Sequence, residues 1–119
     1  MDNKEFSKQL EERTKVFAIE IINLSTQLPD TSEARVIKNQ ITKSGTSIGA
    51  NYREANRSRS KADFRSKIKI CESEASETVY WLEIIELMNW IKEQRIKPIL
   101  TEAIELLAIF SSIGKTLTL

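Results

Sequence analysis

The chain has 119 residues, a size that suits one domain, and only 3 Gly and 2 Pro, which leaves few turning points and argues against a sandwich, a barrel or a loop-rich scaffold. With no His and a single Cys it can build no His-based triad, no imidazole zinc or di-iron site and no internal disulfide, and a cytoplasmic, reducing compartment is the natural expectation. The net charge of +1 conceals segregation: −2 over residues 1–30, +7 over 31–70 and −4 over 71–119.

Glu, the better helix former, outnumbers Asp 14 to 3, and the apolar spacing divides the sequence into four helical stretches. In the first, over about residues 4–28, Phe6, Leu10, Phe17, Ile21, Leu24 and Leu28 share one face, with Thr14 at the skipped turn. Pro29-Asp30 stops it. Asp30 and Glu33 are spaced as a capping box for a second helix over 31–57, whose stripe of Ile37, Ile41, Ser44, Ile48, Asn51 or Tyr52, and Ala55 is small and polar for a core. Ser60, three residues before Asp63, starts a third over 60–90 with the stripe Phe64, Ile68, Cys71, Ala75, Thr78, Leu82 and Ile85. The fourth, over 93–117, places Ile96, Ile99, Ala103, Leu106, Phe110, Ile113 and Leu117 inward, although Pro98 fits a first turn better than a later one. Four long helices with short connections must run up, down, up, down, so the expected fold is an all-α antiparallel four-helix bundle in a single domain. The N-terminal residues are polar and mixed in charge, with no signal-peptide pattern. The longest apolar run, Leu106-Leu107-Ala108-Ile109-Phe110, is too short to span a membrane.

Two features exceed what a monomeric bundle needs. Ten of the thirteen residues in 79–91 are apolar or aromatic, and a helix apolar nearly all round is buried on more than one side. This favours a subunit interface involving Tyr80, Trp81, Ile84, Met88 and Trp90, the alternative being a thick core at one end of the bundle. In the second helix, Gly45 and Gly49 lie four apart, each costing about 1 kcal/mol relative to Ala. Close helix packing offsets that cost, and the small residues Ser73, Ala75 and Ser76 make the third helix the candidate partner. The spacing also suggests a phosphate loop, but the strand-to-helix context and the Lys-Ser/Thr pair are missing.

The run Ser44-Gly45-Thr46-Ser47-Ile48-Gly49-Ala50-Asn51, followed by Glu54-Ala55, Ser60-Lys61-Ala62-Asp63-Phe64 and Glu74-Ala75-Ser76-Glu77-Thr78-Val79-Tyr80-Trp81-Leu82, resembles the bacterial 23S rRNA intervening-sequence protein family. The match is ordered across residues 44–82, and the helix layout agrees over nearly the whole chain. The resemblance implies a left-handed bundle assembling as a homopentamer with a central opening. Some family members are encoded within insertions in ribosomal RNA genes. A similar fold serves as the pentameric accessory protein of diversity-generating retroelements, which binds a reverse transcriptase and nucleic acid. The family supplies no catalytic residues to carry over, which points to a non-enzymatic protein without a cofactor.

Arg53, Arg57, Arg59, Lys61, Arg65, Lys67 and Lys69 all fall within residues 53–69, against only Glu54 and Asp63. Like charges at helical spacing repel, so the run is either a solvated face, answered by acidic helices of a neighbouring subunit, or a surface for RNA or DNA backbone. Phe64 is assigned to the core, which argues against base stacking. A different reading places Glu54 and Glu77, with Glu74, in a polar pocket between the second and third helices, as a small ligand-binding or enzymatic bundle. An all-oxygen metal site there is not expected. Cys71 on the core stripe reads as a small apolar group.

Overall fold

The structure, a computed structural model, describes residues 3–117 and contains four helices: α1 (Asn3–Ser25), α2 (Ser32–Ala55), α3 (Lys61–Leu87) and α4 (Glu93–Leu117). Each packs on its neighbours in chain order and α4 closes back on α1 along the sparsest seam, so α1 and α3 stand at diagonal corners. Cross-helix pairs show the running directions. Ser44 and Glu54 of α2 meet Thr78 and Lys67 of α3, while Glu72 and Glu86 of α3 lie beside Gly114 and Lys97 of α4. Residue numbers rise on one member of each pair as they fall on the other.

The inward stripes form one core. Phe17, Ile21 and Leu24 of α1, Ile41, Ile48 and Tyr52 of α2, Ile68, Leu82 and Ile85 of α3, and Ile96, Leu106 and Phe110 of α4 are all essentially solvent-free. Tyr52 and Phe110 meet edge to face with centroids 5.4 Å apart, one of the geometries aromatic rings prefer. The polar positions in the stripes are satisfied across and within helices. Thr78 Oγ1 donates to the Glu74 carbonyl and lies 2.9 Å from Ser44 Oγ, linking α3 to α2, and the Thr14 hydroxyl donates to the carbonyls of Leu10 and Glu11. Phe6 and Phe64, at the ends of their stripes, are not fully covered: Phe6 is exposed and Phe64 half-buried.

The helix ends differ from the sequence expectation most in three places, and α2 also ends at Ala55 rather than residue 57. α1 stops at Ser25, because the amides of Gln27 and Leu28 bond to Leu24 and Ser25 in a tighter turn that folds Leu28 under the core ahead of Pro29. The cap of α2 is Thr31 rather than Asp30. Thr31 is extended (φ −124°, ψ 161°) and accepts the Ala34 amide at 3.1 Å, whereas Asp30 accepts from the Arg35 guanidinium. Both residue types can cap; the register that buries Ala34 decides between them. α3 ends at Leu87, not residue 90, because Asn89 adopts the left-handed conformation (φ 56°) that ends many helices. The start of α3 has Ser60 accepting the Asp63 amide at 3.0 Å, and Pro98 sits in the second turn of α4 on its solvent side.

The two helical glycines of α2 face α1, not α3. A Cβ on Gly45 would stand 2.8 Å from Ile21 Cγ2, and one on Gly49 3.0 Å from Thr14 Oγ1. The α1–α2 pair therefore uses the absent side chains for its close approach, while Ser44 and Cys71 carry the α2–α3 contact through Thr78 and the Ile48 carbonyl. The small residues on α3 mattered less than their spacing suggested, because Ser73 and Ser76 are exposed and only Ala75 faces the core.

Candidate nucleic-acid interface

The last turn of α2, the 56–60 connection and the first three turns of α3 carry the basic run, and they lie at one end of the bundle. Arg53, Arg57, Arg59, Lys61, Arg65 and Lys69 are exposed, and among the described residues none of these six makes an ion pair. Lys67 is half-buried and reaches Glu54 at 3.4 Å. The seven cations do not form one sheet of charge. Arg57, Arg59 and Lys67 line a shallow groove with Ser58, Glu54 and Asp63; Arg59 and Lys61 line a second, on the side where Thr116 ends α4. Arg53 stands apart in the α1–α2 groove with Lys15, and Lys69 in a groove that runs along α3 to Leu107 of α4. The surface therefore wraps the end of the molecule as cationic edges on several sides.

Three cations escaped the sequence reading because they are remote in the chain. Lys4, Lys8 and Lys15, all exposed on α1, line a groove that ends at Asn56, which donates to Glu11 at 2.8 Å. That hydrogen bond anchors the first half of α1 against the α2–α3 connection, so α1 brings three lysines, alongside Glu11 and Glu12, to the basic end. Nothing in the local pattern of α1, where Lys alternates with Glu, announces this.

The carboxylates do not assemble as the pocket reading expects. Glu54 and Glu77 are both exposed, Glu54 is occupied by Lys67, and among the described residues no three His, Cys, Asp or Glu side chains are placed to hold a metal ion. Burial first, then the nearby Glu77 charge, holds the Glu74 carboxyl above the ordinary range, with Lys43 opposing. Burial likewise pushes the Cys71 thiol up to about 12, which makes it an inert core group. The best-made ion pair ties α1 to α4. Arg13 donates to both oxygens of Glu102 at 2.7 Å and to Glu105 at 2.9 Å, and those hydrogen bonds raise its pKa further.

Of the residues expected at a subunit interface, Tyr80 and Met88 are exposed, whereas Trp81, Ile84 and Trp90 are half-buried, both Trp rings resting against the core. Trp90 and Ile91 lie beyond the end of α3, so the apolar stretch 79–91 divides into an amphipathic helix end and a turn that plugs the bundle. Trp81 Nε1–H is shut off from solvent without an acceptor among the described residues. No helix among the described residues is long and apolar enough to cross a membrane.

A four-helix all-α bundle with a basic end, in which no three His, Cys, Asp or Glu side chains among the described residues are placed to hold a metal ion, defines a class of small helical proteins. Within that class the chain belongs to the 23S rRNA-intervening sequence protein family, whose model matches residues 7–112. A solved structure from Bacteroides thetaiotaomicron VPI-5482, described as a protein of unknown function from the S23 ribosomal protein family, is similar to it. That structure shares 38% identity, with a TM-score of 0.81, over 88% of this chain and 97% of the other. No curated protein matches.

Proposed function

We propose that the protein is a non-enzymatic, cytoplasmic interaction protein, assembled as a homo-oligomer, that engages the RNA or DNA backbone through its basic end. The observation that carries this reading is the set of six exposed cations, Arg53, Arg57, Arg59, Lys61, Arg65 and Lys69, with no ion-pair partners among the described residues. Solvated cations at helical spacing repel one another, and a polyanion relieves that repulsion while releasing its own counterions. No exposed aromatic lies within the run, so contact is to phosphate and carries little sequence preference. Membership in a family named for an intervening sequence of 23S rRNA supports an RNA setting. The homopentamer, the left-handed twist and a reverse transcriptase as partner come from the family resemblance and belong to the same proposal.

A salt titration with structured RNA and with duplex DNA tests it. Each phosphate neutralised contributes roughly −0.9 on duplex DNA, and about −0.7 on single strands, to the slope of log K against log salt. Arg57→Glu, Lys61→Glu and Arg65→Glu together should abolish binding without loss of helix content, since all three side chains are exposed. Binding that ignores salt, or survives the triple reversal, overturns the proposal.

A further inference from the structure

Contact with phosphate alone leaves one aromatic ring at the basic end without a role. Phe64 begins the α3 stripe where the bundle stops, so it packs against the core yet stays half-buried. It lines an open groove of about 710 Å³ between the start of α3 and the end of α4, within the roughly 300–1,000 Å³ of small-ligand sites. Ala55 and Leu117 share this groove with it. So do Arg59 and Lys61, both exposed and neither in an ion pair among the described residues.

Charge sets this groove apart. Grooves elsewhere on the bundle carry carboxylates: Glu54 and Asp63 in the adjoining one, Glu11 in two beside α1, Glu72 and Glu77 along α3. Among the described residues none lines this one, so no carboxylate competes for its cations inside the groove. Two cations beside a phenyl ring suit a ligand with an anionic part and a flat apolar part. Two acceptor oxygens lie in the same groove. Ser58 Oγ donates to the Ala55 carbonyl and Asn56 Nδ2 to Glu11, which leaves the Ser58 oxygen and Asn56 Oδ1 to accept from a hydroxyl or an amino group. A bare phosphate would use the cations alone, whereas a phosphate joined to a sugar and a flat base uses all three kinds of group.

We propose that this groove binds one unpaired nucleotide, its phosphate on Arg59 and Lys61, its base against Phe64 and Leu117, and its sugar or amino group on Ser58 and Asn56. The nucleotide comes from an unpaired stretch of a strand or is a free mononucleotide. For the strand, the site rests on the nucleic-acid part of the proposed function and adds one base contact to it. A base inside a duplex has both faces covered by its neighbours, so only an unpaired one can lie on the ring. Every base has such a face, and the contact therefore adds affinity without reading sequence. The groove makes a surface that holds backbone of any form prefer a single strand.

Phe64→Leu keeps an apolar side chain and removes the ring. Filter binding of a radiolabelled single strand and of relaxed circular duplex DNA, which has no ends, compares it with the wild type. Phe64→Leu should weaken the single strand roughly tenfold, the loss of one stacked base, and leave the circle unchanged. Phe64→Tyr, which keeps the ring, should bind both as the wild type does. If Phe64→Leu holds the single strand as tightly as before, or weakens strand and circle by the same factor, the site is overturned and the backbone reading stands. If the wild type binds no single strand, the site is judged on adenosine monophosphate by calorimetry. Heat that vanishes in Phe64→Leu upholds it for the free nucleotide, and heat that is absent or survives the substitution overturns it. Failure of the circle as well would end the backbone reading separately. Should Phe64→Leu lose helix content by circular dichroism, the Phe64 ring protons of the wild type are followed by NMR: a shift on adding the strand or adenosine monophosphate upholds the site, and unshifted protons overturn it.

Discussion

Adding one methyl group at Gly45 tests the α1–α2 packing directly. Helix propensity alone favours Gly45→Ala by up to about 1 kcal/mol, because Ala loses less backbone entropy in a helix interior. The structure opposes it. The new Cβ would lie 2.8 Å from Ile21 Cγ2, 2.9 Å from Cγ1 and 3.1 Å from Cβ, distances at which something must shift. Ile21 is fully buried, and its β-branched side chain is held to one χ1 rotamer in a helix, so the clash falls on stiff atoms near the backbone. Overpacking of this kind costs about 1–3 kcal/mol, leaving a net destabilisation of about 1 kcal/mol and a fall in Tm of about 3–5 °C. Gly114→Ala is the control. A Cβ there meets only Glu72 Oε1, at 3.9 Å, so the propensity gain is unopposed and Tm should rise. Urea denaturation followed by circular dichroism reads both. Repeating Gly45→Ala in an Ile21→Ala background removes the two clashing Cγ atoms and should turn the substitution favourable, although Ile21→Ala itself costs about 2–5 kcal/mol. If Gly45→Ala with Ile21 in place is as stable as the wild type, the close-packing account of this glycine is wrong.

Two further predictions concern titrating groups. The Cys71 thiol, raised to about 12 by burial and lying 3.5 Å from the Ile48 carbonyl, should react with a thiol reagent at mildly alkaline pH roughly a thousandfold more slowly than a free cysteine, and at full rate once urea unfolds the chain; fast labelling of the folded protein would place the thiol outside the core. The Glu74 carboxyl is raised in the folded state by burial and by Glu77, so the native protein holds that proton more tightly than the unfolded chain does, and the resulting stability is lost as pH climbs from the ordinary glutamate range through the raised value. Glu74→Gln should therefore raise Tm at neutral pH and leave it nearly unchanged at acidic pH, and parallel curves of Tm against pH for the two proteins would refute the assignment.

The core stripes were legible because a period of 3.6 residues is a property of consecutive side chains. Leu10, Phe17, Ile21 and Leu24 declare one buried face wherever α1 ends up. The partner of a face is a different matter. Gly45 and Gly49 declare a close approach, but whether it is to α1 or α3 depends on the angle at which two helices meet, which no local pattern encodes; both neighbours of α2 were available and Ile21 takes the space. The end of α3 departs from the sequence pattern for a related reason. Asn89 is an ordinary polar residue by composition, and only its left-handed conformation turns Trp90 and Ile91 out of the helix and over the core.

The basic end shows the same division between what a chain segment states and what folding assembles. Residues 53–69 state their charge by proximity in sequence, yet the structure spreads those cations over several grooves and brings Lys4, Lys8 and Lys15 to the same end from α1. Their arrangement around an end, rather than across a flat face, matters for the kind of ligand. A single flat patch would hold a short stretch of duplex against one monomer, whereas cationic edges on several sides leave each monomer with few phosphates in reach of any one strand. Under the proposed function, affinity then depends on an oligomer that presents several ends together. Dilution below the concentration at which the protein assembles should accordingly weaken RNA binding and make the salt slope shallower. An unchanged slope would mean that each monomer binds on its own.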